Sequence, residues 1–500
     1  MIFLKSNILK SLIAVSFFYA TGCYANDTLQ ADKYFSQQQY DLALNEYLSV
    51  ADSKEPKVYY QLGVMHYKGL GTEADSFKAL VWFSMAAEYS YDNSVEIVNN
   101  LIANVDPEET PQINELIKTS QRLYSQQAVY QKHQPELIEK NLKLRIKFGD
   151  IENISEVDIN TDDGLEDSLN MFMASQSGGS DAEGYEGFTN YDTLDNSNDL
   201  SNADPYFLIA DYDIAPDGSI RNITQVKTKG VVGEAEYDLS LNSLPTPSFN
   251  DKNVHFINRS YLGIAKYNRF RMRREYYGFY KAIRKLTQKL SESTAAKDQY
   301  SYGMALIHFP WLDQDDGDVN ELLKNAAESG YALAKYEYGL QLYREQKELK
   351  QAVHWLYEAA KNNLSQAQYR LARIFLDSPW VINDESKALF WLEQAASQGH
   401  LTSKLKSAEV KLLSNNEALQ DVKGAIGYLA EIDELQNENP QYQYLQAMAY
   451  AKKEDRELAK AVKTIRLAIQ SGNSLNWDVA PWQAQLKKWT TGGNVTIREL

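Results

Sequence analysis

Cysteine is all but missing: Cys23 is the single one in 500 residues. A disulfide framework or a thiolate metal cluster needs several, so both are excluded. Histidine is sparse as well, at 66, 133, 255, 308, 354 and 400, with no two at metal-ligand spacing. No metal and no cofactor is therefore expected. Positive charge is the minority sign, 51 Lys and Arg against 68 Asp and Glu, for a net charge of −17. A nucleic-acid binder normally shows a basic footprint, so this balance argues against one. The chain also lacks the phosphate-binding, dinucleotide-binding, zinc-helix and serine-nucleophile motifs, and an enzyme is not expected. What remains is a folding composition, 44% hydrophobic and 24% charged. Its length suits about three domains.

The first 25 residues read MIFLKSNILKSLIAVSFFYATGCYA. Lys5 and Lys10 precede an apolar stretch, Ile8 to Ala20, that is too short to span a bilayer. A short apolar run followed by small residues is the pattern of a bacterial-type secretory signal. Two processing readings stay open. Cleavage after Ala25 would discard Cys23. Ala20-Thr21-Gly22-Cys23 also reads as a lipoprotein box, which makes Cys23 a lipidation candidate. Either way the mature chain is expected outside the cytoplasm, in the periplasm or as an outer-membrane lipoprotein. No later segment reaches 18 apolar residues, so no membrane span is expected in it.

Periodicity is the strongest signal. Segments 58–90, 300–330, 336–363 and 369–399 each carry an early small residue: Gly63, Gly303, Gly339 and Ala372. Each also carries a late pair: Ala86-Ala87, Ala326-Ala327, Ala359-Ala360 and Ala395-Ala396. The small residue and the first Ala are 23 apart in three copies and 20 in the third, whose connecting loop is shorter. This is a two-helix unit in which small side chains let the backbones cross closely. Trp82, Trp355 and Trp391 stand one helical turn before the first Ala, on the same face. Such units stack into a solenoid.

Leu62, Gly63, Tyr67, Gly69, Gly71, Asp75, Lys78, Ala79, Trp82, Phe83, Ala86, Ala87 and Glu88 follow one motif. It resembles the SEL-one-like repeat, a relative of the tetratricopeptide repeat. The resemblance implies a helical interaction scaffold. Residues 28–53, 93–128 and 404–470 read as degenerate units. Residues 476–500, with Trp477, Trp482 and Trp489, read as an end cap.

The stretch between the repeat blocks differs. Leu142, Leu144, Ile146 and Phe148 alternate with cations, which predicts a strand with one wet face. Residues 206–214 and 220–226 predict two more strands, joined at Pro216-Asp217-Gly218, and 276–290 predicts a helix. YFLIADYDIAPDGSIRNITQVKTKG resembles the start of a TonB C-terminal domain. Phe207, Ile209, Tyr212, Ile214, Asp217, Gly218, Ile220, Asn222 and Ile223 carry that likeness. It implies a module that docks outer-membrane proteins by strand addition. The chain has only 12 Pro and no retained anchor, so energy transduction is not implied.

Residues 150–204 hold fifteen acidic residues and no Lys or Arg, the composition of a solvated loop. Asp158 to Gly164 begins like a calcium loop, but its Gly comes late and Leu169 replaces the chelating Glu. Asp211-Tyr212-Asp213 before Asp217 fails the same way, with Pro216 in the Gly place. Residues 266–289 are the reverse, nine cations interleaved with aromatics. There Arg269, Arg271 and Arg273 alternate with Phe270 and Met272, which predicts one exposed strand face. With Arg274 they also form a candidate basic docking surface for an acidic partner, anionic lipid or the chain's own acidic tract.

The expected fold is mostly α, with helical-repeat α-solenoid segments interrupted by a small α/β domain of antiparallel sheet plus helix. The expected divisions are a signal peptide at 1–25, N-terminal helical repeats at 26–135, and a strand with an acidic flexible tract at 136–204. A TonB C-terminal-like domain at 205–292 follows, then SEL-one-like repeats at 293–410 and degenerate helices with a cap at 411–500. The expected function is an exported, non-enzymatic scaffold for proteins of the bacterial cell envelope. The alternatives are an accessory component of a TonB-type outer-membrane transport system and a cell-wall-acting enzyme. The expected partners are envelope proteins, including an outer-membrane receptor or transport complex in the second reading. Mass spectrometry of the mature protein should find an N-terminus at Asn26 or a lipid-modified Cys23; a chain retaining Met1 would overturn export.

Overall fold

In two of the repeat units the second helix starts from an aspartate. Asp75 ends one connection and accepts hydrogen bonds from the backbone N–H of Phe77 (3.0 Å) and Lys78 (2.9 Å). Asp384 caps a later helix in the same way through Lys387 N–H, at 2.9 Å. An aspartate there satisfies donors that the helix itself cannot pair. The motif position Asp-x-x-Lys is thus a helix N-cap.

The structure, a computed structural model, describes residues 27–51, 55–89, 91–103, 126–149, 206–312 and 316–491, with a few positions between 111 and 118. The signal segment with Cys23, the acidic tract 150–204 and the calcium-loop fragment at 158–164 lie outside the described residues. There are two compact units. One contains the described residues up to His133 together with Leu413–Gly427; the other contains Gln134–Leu412 and Tyr428–Leu500.

The first unit contains α1 (Asp27–Ser36), α2 (Tyr40–Ser49), α3 (Pro56–Lys68), α4 (Ser76–Glu88), α5 (Ser94–Ala103) and α6 (Gln126–Lys132). Its core gathers Ala31, Ala43, Tyr47, Leu62, Met65 and Ala86. Gly63 of α3 faces the Phe83 ring of α4, where an added Cβ would sit 2.8 Å from the ring. Tyr59 and Trp82 stack at 6.1 Å across the same crossing. Ala86 is fully buried and Ala87 half-buried.

The second unit begins with β1 (Lys147–Phe148), β2 (Phe207–Ile214), β3 (Ile220–Lys229), α7 (Gly233–Leu241), β4 (Pro247–Phe249), β5 (Lys252–Asn253) and β6 (Phe256–Gly263). Then come α8 (Arg269–Glu275), α9 (Tyr277–Ser291), α10 (Ala296–His308), α11 (Asp316–Glu328), α12 (Ala332–Arg344), α13 (Leu349–Lys361), α14 (Ser365–Asp377), α15 (Glu385–Ser397) and α16 (Leu401–Leu413). The series ends with α17 (Val422–Gln436), α18 (Pro440–Lys452), α19 (Leu458–Ser474) and α20 (Ala480–Thr490). The first part of α17 lies in the other unit. Trp477 and Trp482 close the end of the array against Ala447, Ile465 and Ala468.

Two three-stranded antiparallel sheets form, in the orders β1-β4-β5 and β3-β2-β6. The hairpin turns at Gly218, whose φ of +85° suits glycine. A Cβ there would also lie 2.3 Å from the Leu244 carbonyl oxygen. The central strand β2 is buried along its whole length. A strand buried on both faces must be covered twice, and the residues on its two sides have different partners. The segment 205–292 lies in the same compact unit as the later repeats.

Two local expectations are corrected. Residues 142–148 do not form one strand. A 3-10 turn at Glu139–Asn141 precedes a turn at 142–143, and only Lys147–Phe148 pairs in a sheet. The reason is that side chains take the backbone's hydrogen bonds: Gln346 holds both N–H and C=O of Ile146, and Trp380 donates to the Leu144 carbonyl. The run Arg269-Phe270-Arg271-Met272-Arg273 is not a strand either but the helix α8, started by Asn268, whose side chain accepts the Arg271 N–H at 2.9 Å. Alternation in sequence therefore does not place the arginines on one face.

At Gly339 on α12 the crossing brings backbone itself close. A Cβ there would meet the Ala352 carbonyl and the Leu356 backbone nitrogen, each at 3.0 Å. Backbone cannot swing aside as a side chain can. Gly339→Val should cost about 1–3 kcal/mol of stability by overpacking. Gly278→Ala, with nothing within 4 Å of the added carbon, should be neutral or stabilising by about 0.5–1 kcal/mol. Urea melts of both variants would compare them.

Candidate functional site: the first-helix face of the later repeats

The middle strand carries an Asp-Tyr-Asp alternation, so its two carboxylates share one side and the tyrosine takes the other. Tyr212 hydroxyl meets Ser260 Oγ and Asn258 Nδ2, each at 2.9 Å. The carboxylates meet arginines. Asp211 lies directly across from Arg259 on β6, which binds it bidentately at 2.6 and 2.8 Å. Asp213 accepts from Arg370 at 2.7 Å and Arg373 at 2.6 Å, both on α14. Asn222 of β3 adds 2.9 Å.

The network continues through the helices. Arg259 reaches Glu337 of α12 at 3.1 Å, and Arg344 of the same helix reaches Asp211 at 3.3 Å. Arg373 turns its Nε to Asp377, one turn on, at 2.6 Å. His255 lies 3.8 Å from the other Asp377 oxygen. Four carboxylates and four guanidiniums thus face one another, and their charges cancel. The centre of the network is shielded from water, with Arg259 and Asp213 side chains 3% and 4% exposed, while Asp377 and His255 at its margin are 19% and 30% exposed.

Electrostatics follow from that shielding. Burial raises the pKa of Asp211 and of Asp213, but Arg259 with Arg344, and Arg373 with Arg370, outweigh it and hold both carboxyls below the usual range. Asp377 is lowered likewise: burial raises it, and Arg373 and His255 prevail. Burial pushes His255 down against the pull of Asp377, and pushes His308 down to about 3. The carboxylates are therefore charged and paired, and the two histidines are neutral. The arrangement does the work of a staple: it fastens β2 and β6 to α12 and α14, the first helices of successive repeat units. Aromatic contacts extend it, with Phe256 stacked on Tyr343 at 6.0 Å and Phe207 against Phe309 at 5.6 Å.

A second fastening runs beside it. Residues 136–146 lie along the α12–α13 and α14–α15 connections. Glu136 pairs with Lys387 at 2.6 Å, Leu137 bridges Val381, and Asn141 Nδ2 donates to the Pro379 carbonyl at 2.6 Å. Gln346 grips Ile146 with its amide, accepting at 2.6 Å and donating at 3.0 Å.

The residues singled out from sequence fall elsewhere. Ala326, Ala327, Ala359, Ala360, Ala395 and Ala396 are buried at helix crossings, as are Gly339 and Ala372. Gly303 faces Leu322 and Leu323 of α11. Arg269, Arg273 and Arg274 are exposed on α8, while Arg271 is half-buried against Glu275 (3.0 Å) and the Tyr267 ring (3.8 Å). None of these four joins the ionic network. Sequence reasoning missed Arg259, Glu337, Arg370 and Arg373, and met Asp211 and Asp213 only as a failed calcium loop. A usable signal existed: Arg370 and Arg373 sit one turn apart inside an apolar helical pattern, where cations need partners.

The two-helix geometry can now be set beside known proteins. The family model of the Sel1 repeat matches residues 56–88, 326–364 and 365–400. The chain carries Sel1 repeats at those residues. The first match spans α3 and α4 from end to end, and the third spans α14 and α15. The unit at 300–330 has no match of its own. No curated protein sequence matches. Among solved structures, a protective antigen present in uropathogenic Escherichia coli strains, displaying an SLR fold, aligns with TM-score 0.32 and 14% identity. That alignment covers 95% of this chain and 88% of the antigen. A Sel1 repeat protein from Oxalobacter formigenes aligns with TM-score 0.33 and 18% identity, over 42% of this chain and 97% of its own. Yeast Tom70 aligns with TM-score 0.27 and 15% identity, over 93% and 80%.

Two outcomes test the staple. Asp213→Ala would leave Arg370 buried without its carboxylate and Arg373 with Asp377 alone, and should destabilise by about 3–5 kcal/mol. Removing the exposed pair Lys324–Glu328 (3.9 Å) should change stability by less than about 1 kcal/mol. Stability should also fall with acid. Below the ordinary histidine value of 6.5 the unfolded chain takes up protons at 255 and 308 that the folded chain refuses. Below the ordinary aspartate value of 3.8 the lowered carboxylates add to the loss. Urea midpoints measured from about pH 7.5 downward should decline through both windows; a flat profile would refute it.

Proposed function

We propose that this chain is an exported, non-enzymatic scaffold that assembles proteins in the bacterial cell envelope. One observation carries it: Sel1 repeats with their two-helix geometry at 56–88, 326–364 and 365–400, an architecture that works by presenting helix faces to protein partners. Export rests on the N-terminal pattern of charge, apolar run and small residues. The outer-membrane lipoprotein form, through Cys23, remains the alternative address.

The ionic staple refines where a partner would dock. The faces of α12 and α14 that carry Glu337, Arg344, Arg370 and Arg373 are already occupied by the chain's own β2 and β6. In this reading the inserted sheet is the built-in ligand of the later repeats, and external partners use other surfaces, such as the units at 27–103. Affinity capture of the mature protein from envelope fractions after cross-linking should return a reproducible protein partner. Recovery of none would defeat the scaffold reading.

A role beside a TonB-type transport system is the second proposal. The observation that favours it is the sheet order, which leaves β3 at one edge with Thr224 and Gln225 exposed. Lysines on an edge strand discourage pairing with another strand. The double substitution Thr224→Lys, Gln225→Lys should therefore reduce receptor-dependent uptake; unchanged uptake would remove this proposal. Deleting 205–290 would be a poorer test, because it also takes away Asp211, Asp213 and Arg259.

A further inference from the structure

The chain is strongly acidic, yet the segment 264–291 carries nine cations and a single acid, Glu275. That acid is already engaged by Arg271 and Arg274. On α9, Ile283, Thr287 and Leu290 point into the protein. The opposite side presents Lys281, Arg284, Lys285, Gln288 and Lys289 to water. Arg273, Lys281, Arg284, Lys285 and Lys289 make no ion pair among the described residues. At 1.5 Å per residue the helix is roughly 22 Å long, so its cations form a row rather than a spot.

Two aromatic rings stand at the start of this row. Phe270 is 71% exposed and Tyr277 59% exposed, both unusual for such large rings. Phe270 lies between the exposed Arg269 and the Arg273–Arg274 pair, and the Arg274 guanidinium sits 5.6 Å over its ring. A helix lying flat with a row of cations and exposed rings at one end suits a layer of anionic headgroups. The cations meet phosphates while the rings enter the interfacial zone, where amphipathic aromatics are most stable. An acidic protein would have to supply carboxylates at matching intervals over the same length. A net charge of −17 repels the chain as a whole from such a layer, and the cations of this face oppose that repulsion locally.

We propose that α8 and α9 form a docking face for anionic phospholipid membranes, holding the scaffold against a bilayer by Arg273, Arg274, Lys281, Arg284, Lys285 and the Phe270 ring. This surface is separate from the repeat faces and does not depend on the partner reading. Its attraction is electrostatic, so it is reversible and salt-sensitive, and no helix crosses the bilayer. Among the described residues none is long and apolar enough to do so.

Co-sedimentation of the purified mature chain with vesicles tests this. Binding is expected to phosphatidylglycerol-containing vesicles and not to pure phosphatidylcholine, and should vanish at about 0.5 M salt as screening shortens the reach of charge. Each surface cation is worth about fivefold in affinity. The variant Lys281→Glu, Arg284→Glu, Lys285→Glu should therefore lose at least a hundredfold, and Phe270→Ser several-fold. All four positions are exposed, so circular dichroism melts should match the parent chain. Equal binding by the triple variant, or no binding to anionic vesicles, overturns the proposal. Tight binding of poly-glutamate without vesicle binding would also overturn it and assign the face to an acidic protein.

Discussion

The second unit depends on Asp213. Its two oxygens hold Arg370 and Arg373 at 2.7 and 2.6 Å, in a place water does not reach. A buried carboxylate is costly alone and so are two buried guanidiniums; each is tolerable only because the others are there. That mutual requirement turns a contact between a strand and a helix into a specification of register. If β2 slipped by one residue, Tyr212 would face the arginines and both aspartates would lose their partners. Arg259 and Asp211, directly opposed on neighbouring strands, repeat the same logic at the sheet's other edge.

Stacked two-helix units have an unfilled face by construction, since each unit buries only what its neighbours cover. In this chain α12 and α14 have that face filled from within, by a sheet that the sequence inserts between two blocks of repeats. The segment 136–146 then ties the outside of the same units, through Gln346, Trp380 and Lys387. Sheet, strap and the later repeats therefore lie in one compact unit. The inserted strands take up surface that a free solenoid would offer, so the scaffold's remaining surfaces become the more important ones for binding.

Much of the repeat architecture was legible beforehand because it rests on steric exclusion. Gly339 and Ala359 recur where backbones pass closely, and a side chain's bulk can be read from its letter. The hairpin was legible for a similar reason, since Asp217-Gly218 marks a turn that few other pairs allow. The strand expected over 142–148 failed because alternation alone does not say who will accept the backbone's hydrogen bonds. There the partners are Gln346 and Trp380, some 200 residues away in sequence. The arginine run at 269–273 misled by the same alternation, and Asn268 decided for a helix.

What the sequence alone determined is whatever depends on neighbours within a turn or two: helix faces, caps, small residues at crossings, a tight turn, and the separation of acidic and basic stretches. What only the tertiary structure decided is the partnership of charges. Asp211 and Asp213 read only as a failed calcium loop until α12 and α14 are folded over them, and the apolar pattern around Arg370 says that it needs a partner without saying which. Charge interaction depends on distance and on the exclusion of water, and neither is encoded by adjacency in the chain. Both come into being only when the sheet closes on the helices.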